Sequence, residues 1–147
     1  AIAGTLALGF EPNITAATFI VGGSQFTDII ATSDESGAVR LREERMKAFK
    51  YKNLDEYKSA VKKNVWVEPA QFITPRESLK SFVISASADT TVLTKYQLDL
   101  VKQLHADKHI HLLGDHIQVV KNTFWNHRQK IVNYFKKNLE VKNENKK

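Results

Sequence analysis

The sequence predicts a single α/β domain in which helices cover a parallel sheet. Three short segments, residues 14–23, 79–87 and 108–114, are rich in apolar and β-branched residues and have the length of strands. Helical patterns separate them, and this alternation is typical of a parallel sheet with helical crossovers. A length of 147 residues with 42% hydrophobic residues suits one globular domain.

The chain opens on an apolar helical pattern, AIAGTLALGF, which Gly9 and Pro12 are expected to end. Small and apolar residues occupy every side of this pattern, which predicts a buried helix. ITAATFIVGG, residues 14–23, follows without any charge and ends in paired glycines. This composition is expected of a strand covered on both faces.

A polar, helical insertion is predicted between the first two strands, from about residue 27 or 28 to residue 77. Asn53 and Glu56 have the spacing of a capping box at the start of one of its helices. The insertion could form a lid over a substrate pocket or an extra layer of the fold. Trp66 and Phe72 could line such a pocket, but we expect both aromatic side chains to lie in the core.

The second strand, residues 79–87, leads into a helix that Thr94 and Gln97 are expected to open as a second capping box. One face of this helix should point inward through residues spaced four apart: Tyr96, Leu100 and Leu104. The last helix, over about residues 120–137, should bury a stripe: Phe124, Arg128, Ile131 and Phe135. Residues 139–147 predict a disordered basic tail, so the domain would span residues 1–138.

Composition argues against several classes of function. The net charge is +6, but the last twelve residues alone hold five lysines, and the other lysines form no pattern with aromatic residues that is typical of nucleic-acid binding. The chain has no cysteine, which excludes a disulfide framework, a thiol nucleophile and a thiolate zinc site. No apolar run approaches the roughly 20 residues that span a bilayer. We expect no nucleic-acid partner, no membrane span and no cofactor.

Groups able to do chemistry follow the end of each predicted strand, where the functional loops of open α/β sheets lie. Ser24 and Asp28 follow the first strand, Asp89 the second and His116 the third. Asp89 and His116 could meet by a hydrogen bond in which the carboxylate fixes the tautomer of the imidazole. Taken alone, an aspartate in such a loop is more often a turn-forming or capping residue than a catalyst.

Two further histidines alternate on the third strand and raise the question of a metal site. His109 and His111 lack a third ligand at a usual spacing, so we interpret them as strand residues with polar tips and expect no metal.

The carboxyl-terminal half of the chain resembles the α/β-hydrolase fold, on the segments SFVISASADTTVLTKYQLDLVKQL and HIHLLGDHIQVV. In that family a Gly-x-x-Asp-x-x-Val-like turn carries the triad acid, and the next strand leads to the triad histidine. Here the turn is Ala86-x-x-Asp89-x-x-Val92, with alanine in place of glycine, and His116 ends a Gly-Asp-His sequence. VEPAQFITP resembles the proline-containing approach to the acid strand in the esterase-like and dienelactone-hydrolase-like branches.

The resemblance implies that His116 is the general base and Asp89 its orienting acid, with Asp28 as the reserve candidate for the acid. It also implies that AIAGTLALGF is the helix opened by a Gly-x-Ser-x-Gly nucleophile elbow. No serine of the chain has that pattern: Ser24 follows Gly22 but precedes Phe26 at the second position. We therefore expect an inactive fragment of a serine hydrolase, a partial α/β-hydrolase fold whose nucleophile lies upstream.

The partners implied are a small ester-like substrate and the missing amino-terminal half or a companion chain, and the incomplete sheet could lead to oligomers. An alternative function is a non-catalytic α/β module that binds a protein partner or a small ligand. A flavodoxin-like ligand binder is a third interpretation, but the chain has no Gly-rich phosphate loop.

Overall fold

The sheet has three parallel strands in the order β1-β2-β3, as seen in a computed structural model that describes residues 2–140. The strands are β1 (Ala16–Ile20), β2 (Lys80–Ala86) and β3 (Lys108–Leu112). The predicted α/β class with a helix-flanked parallel sheet is confirmed, and each strand is shorter than its predicted segment. β1 ends before the glycine pair because Val21 adopts a left-handed conformation, with φ of 45°.

Seven α-helices surround this sheet within residues 2–140. They are α1 (Ile2–Phe10), α2 (Phe26–Thr32), α3 (Ser36–Phe49), α4 (Leu54–Asn64), α5 (Thr94–Gln103), α6 (His116–Asn122) and α7 (Arg128–Glu140). A 3-10 turn covers Pro69–Gln71, and a π-helical turn over Thr123–His127 joins α6 to α7. Among the described residues, no helix combines the length and the apolar character needed to cross a membrane.

Two apolar clusters hold the layers together, one on each face of β2. One contains Leu8, Phe19, Leu79, Val83, Leu100 and Leu104, and packs α1 and α5 against the sheet. The other contains Val21, Phe82, Ile84, Ala86, Val119 and Tyr134, and packs α6 and α7 against the opposite face. Because successive side chains of a strand point to opposite faces, the central strand β2 serves both clusters. Packing on both faces therefore fixes the position of the carboxyl end of β2, just before Asp89.

The insertion between β1 and β2 is helical as predicted and contains α2, α3, α4 and the 3-10 turn. The side chain of Asn53 caps α4 by accepting a hydrogen bond from the backbone N–H of Glu56, at 3.0 Å. The carboxylate of Glu56 accepts from the backbone N–H of Lys52, so only half of the expected capping box forms.

Two expectations about burial were wrong. Trp66, expected in the core, is 93% exposed, because the loop that follows α4 carries it to the surface. Phe72, also expected in the core, is half-buried and contacts Phe10 with tilted rings whose centroids are 5.1 Å apart. In α1, Thr5 and Leu8 are buried, while Ala3, Ala7 and Phe10 are exposed. The helix therefore buries one face against β1 rather than all sides.

The stripe predicted for the last helix was wrong at two of its four residues. Ile131 and Phe135 are half-buried, and Ile131 packs against the second apolar cluster. Phe124 is 58% exposed and Arg128 is exposed, whereas Val119, Thr123 and Tyr134 are buried. The π-helical turn at residues 123–127 changes the helical register, so a pattern extrapolated at 3.6 residues per turn selects the wrong face. Helix α7 continues through residues 139 and 140, which were predicted to be disordered; the rest of the predicted tail, residues 141–147, lies outside the described residues.

Candidate active site

Asp89 and His116 are in direct contact at the carboxyl ends of β2 and β3. The Asp89 Oδ2 atom lies 2.8 Å from the His116 Nδ1 atom. The Asp89 side chain is completely buried, and that of His116 is 26% exposed. The two residues are adjacent because β2 and β3 are parallel neighbours, which places the loops that follow them at the same edge of the sheet.

The carboxylate of Asp89 is fully engaged. Its Oδ1 atom accepts hydrogen bonds from the backbone N–H groups of Thr91 and Val92, both at 2.9 Å. Its Oδ2 atom accepts from the Gln97 side-chain amide at 2.7 Å and from His116. Four donors on one buried carboxylate fix its orientation, and hence the direction in which it holds the imidazole.

Gln97 is a site residue that the sequence analysis misassigned. Its Oε1 atom accepts from the backbone N–H of Ala86 at 2.8 Å, and its Nε2 atom donates to Asp89 and to the carbonyl of Val92. The predicted capping box is absent, since the residue before α5 makes no side-chain cap bond and Thr94 donates instead to the carbonyl of Ala86. The signal available in the sequence was a glutamine three positions before Leu100, on the predicted inward face of the helix, and eight positions after Asp89.

His116 begins α6, and the local sequence fixes its position. The side chain of Asp115 caps this helix and forms a complete capping box with Gln118. Gly114 before it has φ of 127°, and a Cβ atom there would lie 2.7 Å from the Gln118 Oε1 atom. Only glycine suits this conformation and this space. The Gly-Asp-His sequence is therefore a turn and a helix cap that present the imidazole to Asp89.

The hydrogen bond to Asp89 sets the tautomer of His116. A carboxylate accepts, so the proton of the neutral imidazole lies on Nδ1, and the lone pair lies on Nε2. No described residue forms a hydrogen bond with Nε2. An imidazole held in this way can take a proton from a hydroxyl group and return it to a leaving group.

Negative charge around His116 favours its protonated form. The hydrogen bond that His116 donates to Asp89 raises the pKa of the imidazole above its usual value near 6.5, against the opposing effect of burial. The charges of Asp89, Asp115 and Asp34 add to this increase. The pair is thus arranged to stabilise an imidazolium ion, the species that forms when a general base accepts a proton.

Asp34, between α2 and α3, is a second residue that the sequence analysis missed. Its carboxylate accepts hydrogen bonds from the hydroxyl groups of Thr90 and Thr91, the latter at 3.0 Å. Its backbone N–H donates to the carbonyl of Thr90 at 3.2 Å. The hydroxyl bonds keep the pKa of Asp34 below its usual value. These contacts attach the helical insertion to the turn that carries Asp89.

The remaining candidates near β1 have other partners. Asp28, the reserve candidate for the acid, forms an ion pair with Lys58 at 2.5 Å and raises the pKa of that lysine. Ser24 is buried, and its hydroxyl donates to the Gln103 Oε1 atom at 2.5 Å. Neither residue forms a hydrogen bond with His116.

His109 and His111 both contact the buried hydroxyl group of Ser85, from Nε2 at 2.8 Å and from Nδ1 at 2.7 Å. Within residues 2–140 there is no group of three or more histidine or acidic side chains that could hold a metal ion.

Comparison with protein-family models, with curated proteins and with solved structures found no match for this chain. The function is therefore inferred from the chemistry of the site itself.

Proposed function

We propose that His116 and Asp89 are the general base and the orienting acid of a serine hydrolase that cleaves an ester, a thioester or an amide by acyl transfer. The observation that carries this proposal is the hydrogen bond of 2.8 Å between His116 Nδ1 and a buried Asp89 carboxylate whose other lone pairs are occupied. This arrangement leaves Nε2 as the acceptor site that a hydroxyl nucleophile requires.

The proposed reaction uses each atom of the pair in turn. His116 Nε2 removes the proton of a serine hydroxyl while the serine oxygen bonds to the substrate carbonyl carbon. The π electron pair of the carbonyl moves to its oxygen and gives a tetrahedral oxyanion, which returns the pair when the leaving group departs. The imidazolium, stabilised by Asp89, then gives that proton to the leaving alkoxide, thiolate or amine as its bond to the carbonyl carbon breaks. A water molecule repeats the sequence on the acyl-enzyme and releases the acid.

The nucleophile is proposed to lie before Ala1. Among the described residues, no hydroxyl group is hydrogen-bonded to His116 Nε2. Ser24, which has the first glycine of the pattern but not the second, donates to Gln103, and Ser85 is bonded to two histidines. In α/β hydrolases the nucleophile elbow opens the helix that precedes a strand in the position of β1. The packing of α1 on β1, where the Phe19 ring would lie 3.2 Å from a Cβ atom at Gly4, supports the assignment of α1 to that helix.

Steady-state kinetics of the full-length protein on p-nitrophenyl esters test this proposal. Asp89→Asn should reduce kcat by about 10⁴-fold, the loss that accompanies replacement of the orienting acid in known triads. His116→Ala should reduce kcat further, by about 10⁶-fold, because it removes the general base itself. His105→Asn is the matched control, since His105 is exposed and asparagine tolerates its φ of 46°. Unchanged turnover in His116→Ala would contradict the proposed role.

A further inference from the structure

An apolar cavity lies within the helical insertion, between α2, α3 and α4. Its volume is about 200 Å³, and its walls include Phe26, Ile30, Leu41, Tyr57 and Val61. It is open to solvent on one side, and its volume exceeds the roughly 150 Å³ of an apolar cavity that holds benzene. The cavity can therefore accommodate one aromatic ring or a short branched chain.

Helix α3 forms one wall of this cavity but is poorly covered by the rest of the molecule. None of its fourteen residues is buried, and Leu41, which faces the cavity, is 39% exposed. A helix of this length ordinarily buries an apolar stripe against its neighbours. The apolar side of α3 thus offers uncovered surface to an occupant of the cavity.

Arg45 is the one charged side chain among the described residues that lines the cavity, and it lies one helical turn after Leu41 on the same face of α3. The other arginines of this helix have partners: Arg40 pairs with Glu44 at 3.7 Å, and Arg42 donates to the carbonyls of Ala31 and Ser33, both at 3.0 Å. Arg45 forms no ion pair or hydrogen bond within residues 2–140. Its guanidinium group is available to an anion.

We propose that this cavity binds a small apolar monocarboxylate, such as an arylacetate or a short branched-chain acid. The apolar body would occupy the space between α2, α3 and α4, and the carboxylate would pair with Arg45. A guanidinium fork matches the geometry of a carboxylate and binds it with two parallel hydrogen bonds. The site is separate from the proposed hydrolytic centre, because the cavity shares no residue with the hydrogen-bond network of Asp89 and His116.

Calorimetric titration of the full-length protein with phenylacetate tests the proposal. We expect saturable binding that weakens at least tenfold in Arg45→Gln and is unchanged in Arg40→Gln, the matched control on the same helix. The neutral analogue 2-phenylethanol should bind at least tenfold more weakly than phenylacetate and should be insensitive to Arg45→Gln. Absence of saturable phenylacetate binding, or equal affinity in Arg45→Gln, would overturn the proposal.

A second variant separates binding in the cavity from binding to the arginine alone. Ala60 lines the cavity on α4, and Ala60→Leu should occupy part of the space and weaken phenylacetate binding at least tenfold. Leucine is a strong helix former, and an unchanged thermal transition would show that the variant is folded. Full affinity in a folded Ala60→Leu protein would place the ligand outside the cavity and refute the proposal.

Discussion

Asp89 receives its hydrogen bonds from near and far along the chain. Thr91, Val92 and Gln97 lie within eight positions of it, so local sequence builds most of the acid's environment. His116 lies 27 positions away and reaches it only because β2 and β3 are neighbours. The spacing of strand ends was sufficient to predict this pair. The amide of Gln97 was not predicted, because the same residue type at that spacing also suits a helix cap.

Gln97→Leu should lower the free energy of unfolding by about 1–3 kcal/mol, since it leaves the buried N–H of Ala86 without an acceptor and removes one donor from Asp89. Urea denaturation of the full-length protein measures this loss. Gln129→Leu is the control, because Gln129 is exposed on α7 and bonds only to Asn133. Its effect should stay within about 0.5 kcal/mol. Equal stability of the two variants would show that the Gln97 bonds carry no net energy.

His116 should titrate above 6.5, because Asp89 stabilises its protonated form. Because the pKa of His116 is higher in the folded than in the unfolded state, its protonation stabilises the fold. This contribution is complete below about pH 6.5 and is lost as the pH rises through the folded-state pKa. Asp89→Asn should therefore lower the pKa measured by NMR for His116, and its stability deficit should shrink at alkaline pH. In the proposed reaction kcat/KM would rise with pH through that pKa. A pKa at or below 6.5 in the native protein would contradict this electrostatic account.

At the scale of elements, the junction of α2 and α3 is attached to the turn after β2. The carboxylate of Asp34 accepts hydrogen bonds from two threonine hydroxyls, and its backbone N–H donates to the carbonyl of Thr90. The connection joins the insertion to the acid of the site, although the sequence gives both segments only a polar, loop-like character. Long-range side-chain contacts of this kind leave no periodic signal in the sequence.

Asp34→Ala should loosen the turn that holds Asp89. Amide hydrogen exchange at residues 90–92 should accelerate, because both threonine hydroxyls lose their acceptor. Glu43→Ala, an exposed carboxylate removed from the middle of α3, should leave exchange at these residues unchanged. Identical protection in Asp34→Ala and the native protein would show that the attachment does not order the turn.

Element types were predictable where the pattern is regular over the whole element. The inward face of α5 is an example, since Tyr96 and Leu100 in the helix and Leu104 directly after it are all buried. The last helix was not predictable in detail, because one π-helical turn moves the buried face from Phe124 to Thr123. The predicted burial of Trp66 was wrong because hydrophobicity predicts burial only on average, and a loop can place a large apolar side chain in solvent.

At the scale of the whole molecule, the order of strands and the two apolar clusters bring the candidate pair to one edge of the sheet. The outer edge of β1 pairs with no other strand among the described residues. Large apolar side chains are exposed around α6, including Leu113, Ile117 and Trp125. An open strand edge and an exposed apolar surface are both features that a neighbouring segment or chain could cover. We predict that an amino-terminal half, a companion chain or a second copy of the chain covers these surfaces.

Covalent labelling with a fluorophosphonate, which reacts with activated serines, tests the central claim most directly. The full-length protein should incorporate one probe molecule on a serine located before Ala1 within a Gly-x-Ser-x-Gly sequence, and His116→Ala should abolish the labelling. His105→Asn should be labelled at the native rate. Labelling that is equally fast in His116→Ala, or no labelled serine in a folded native protein, would contradict the assignment of His116 and Asp89 to a serine hydrolase.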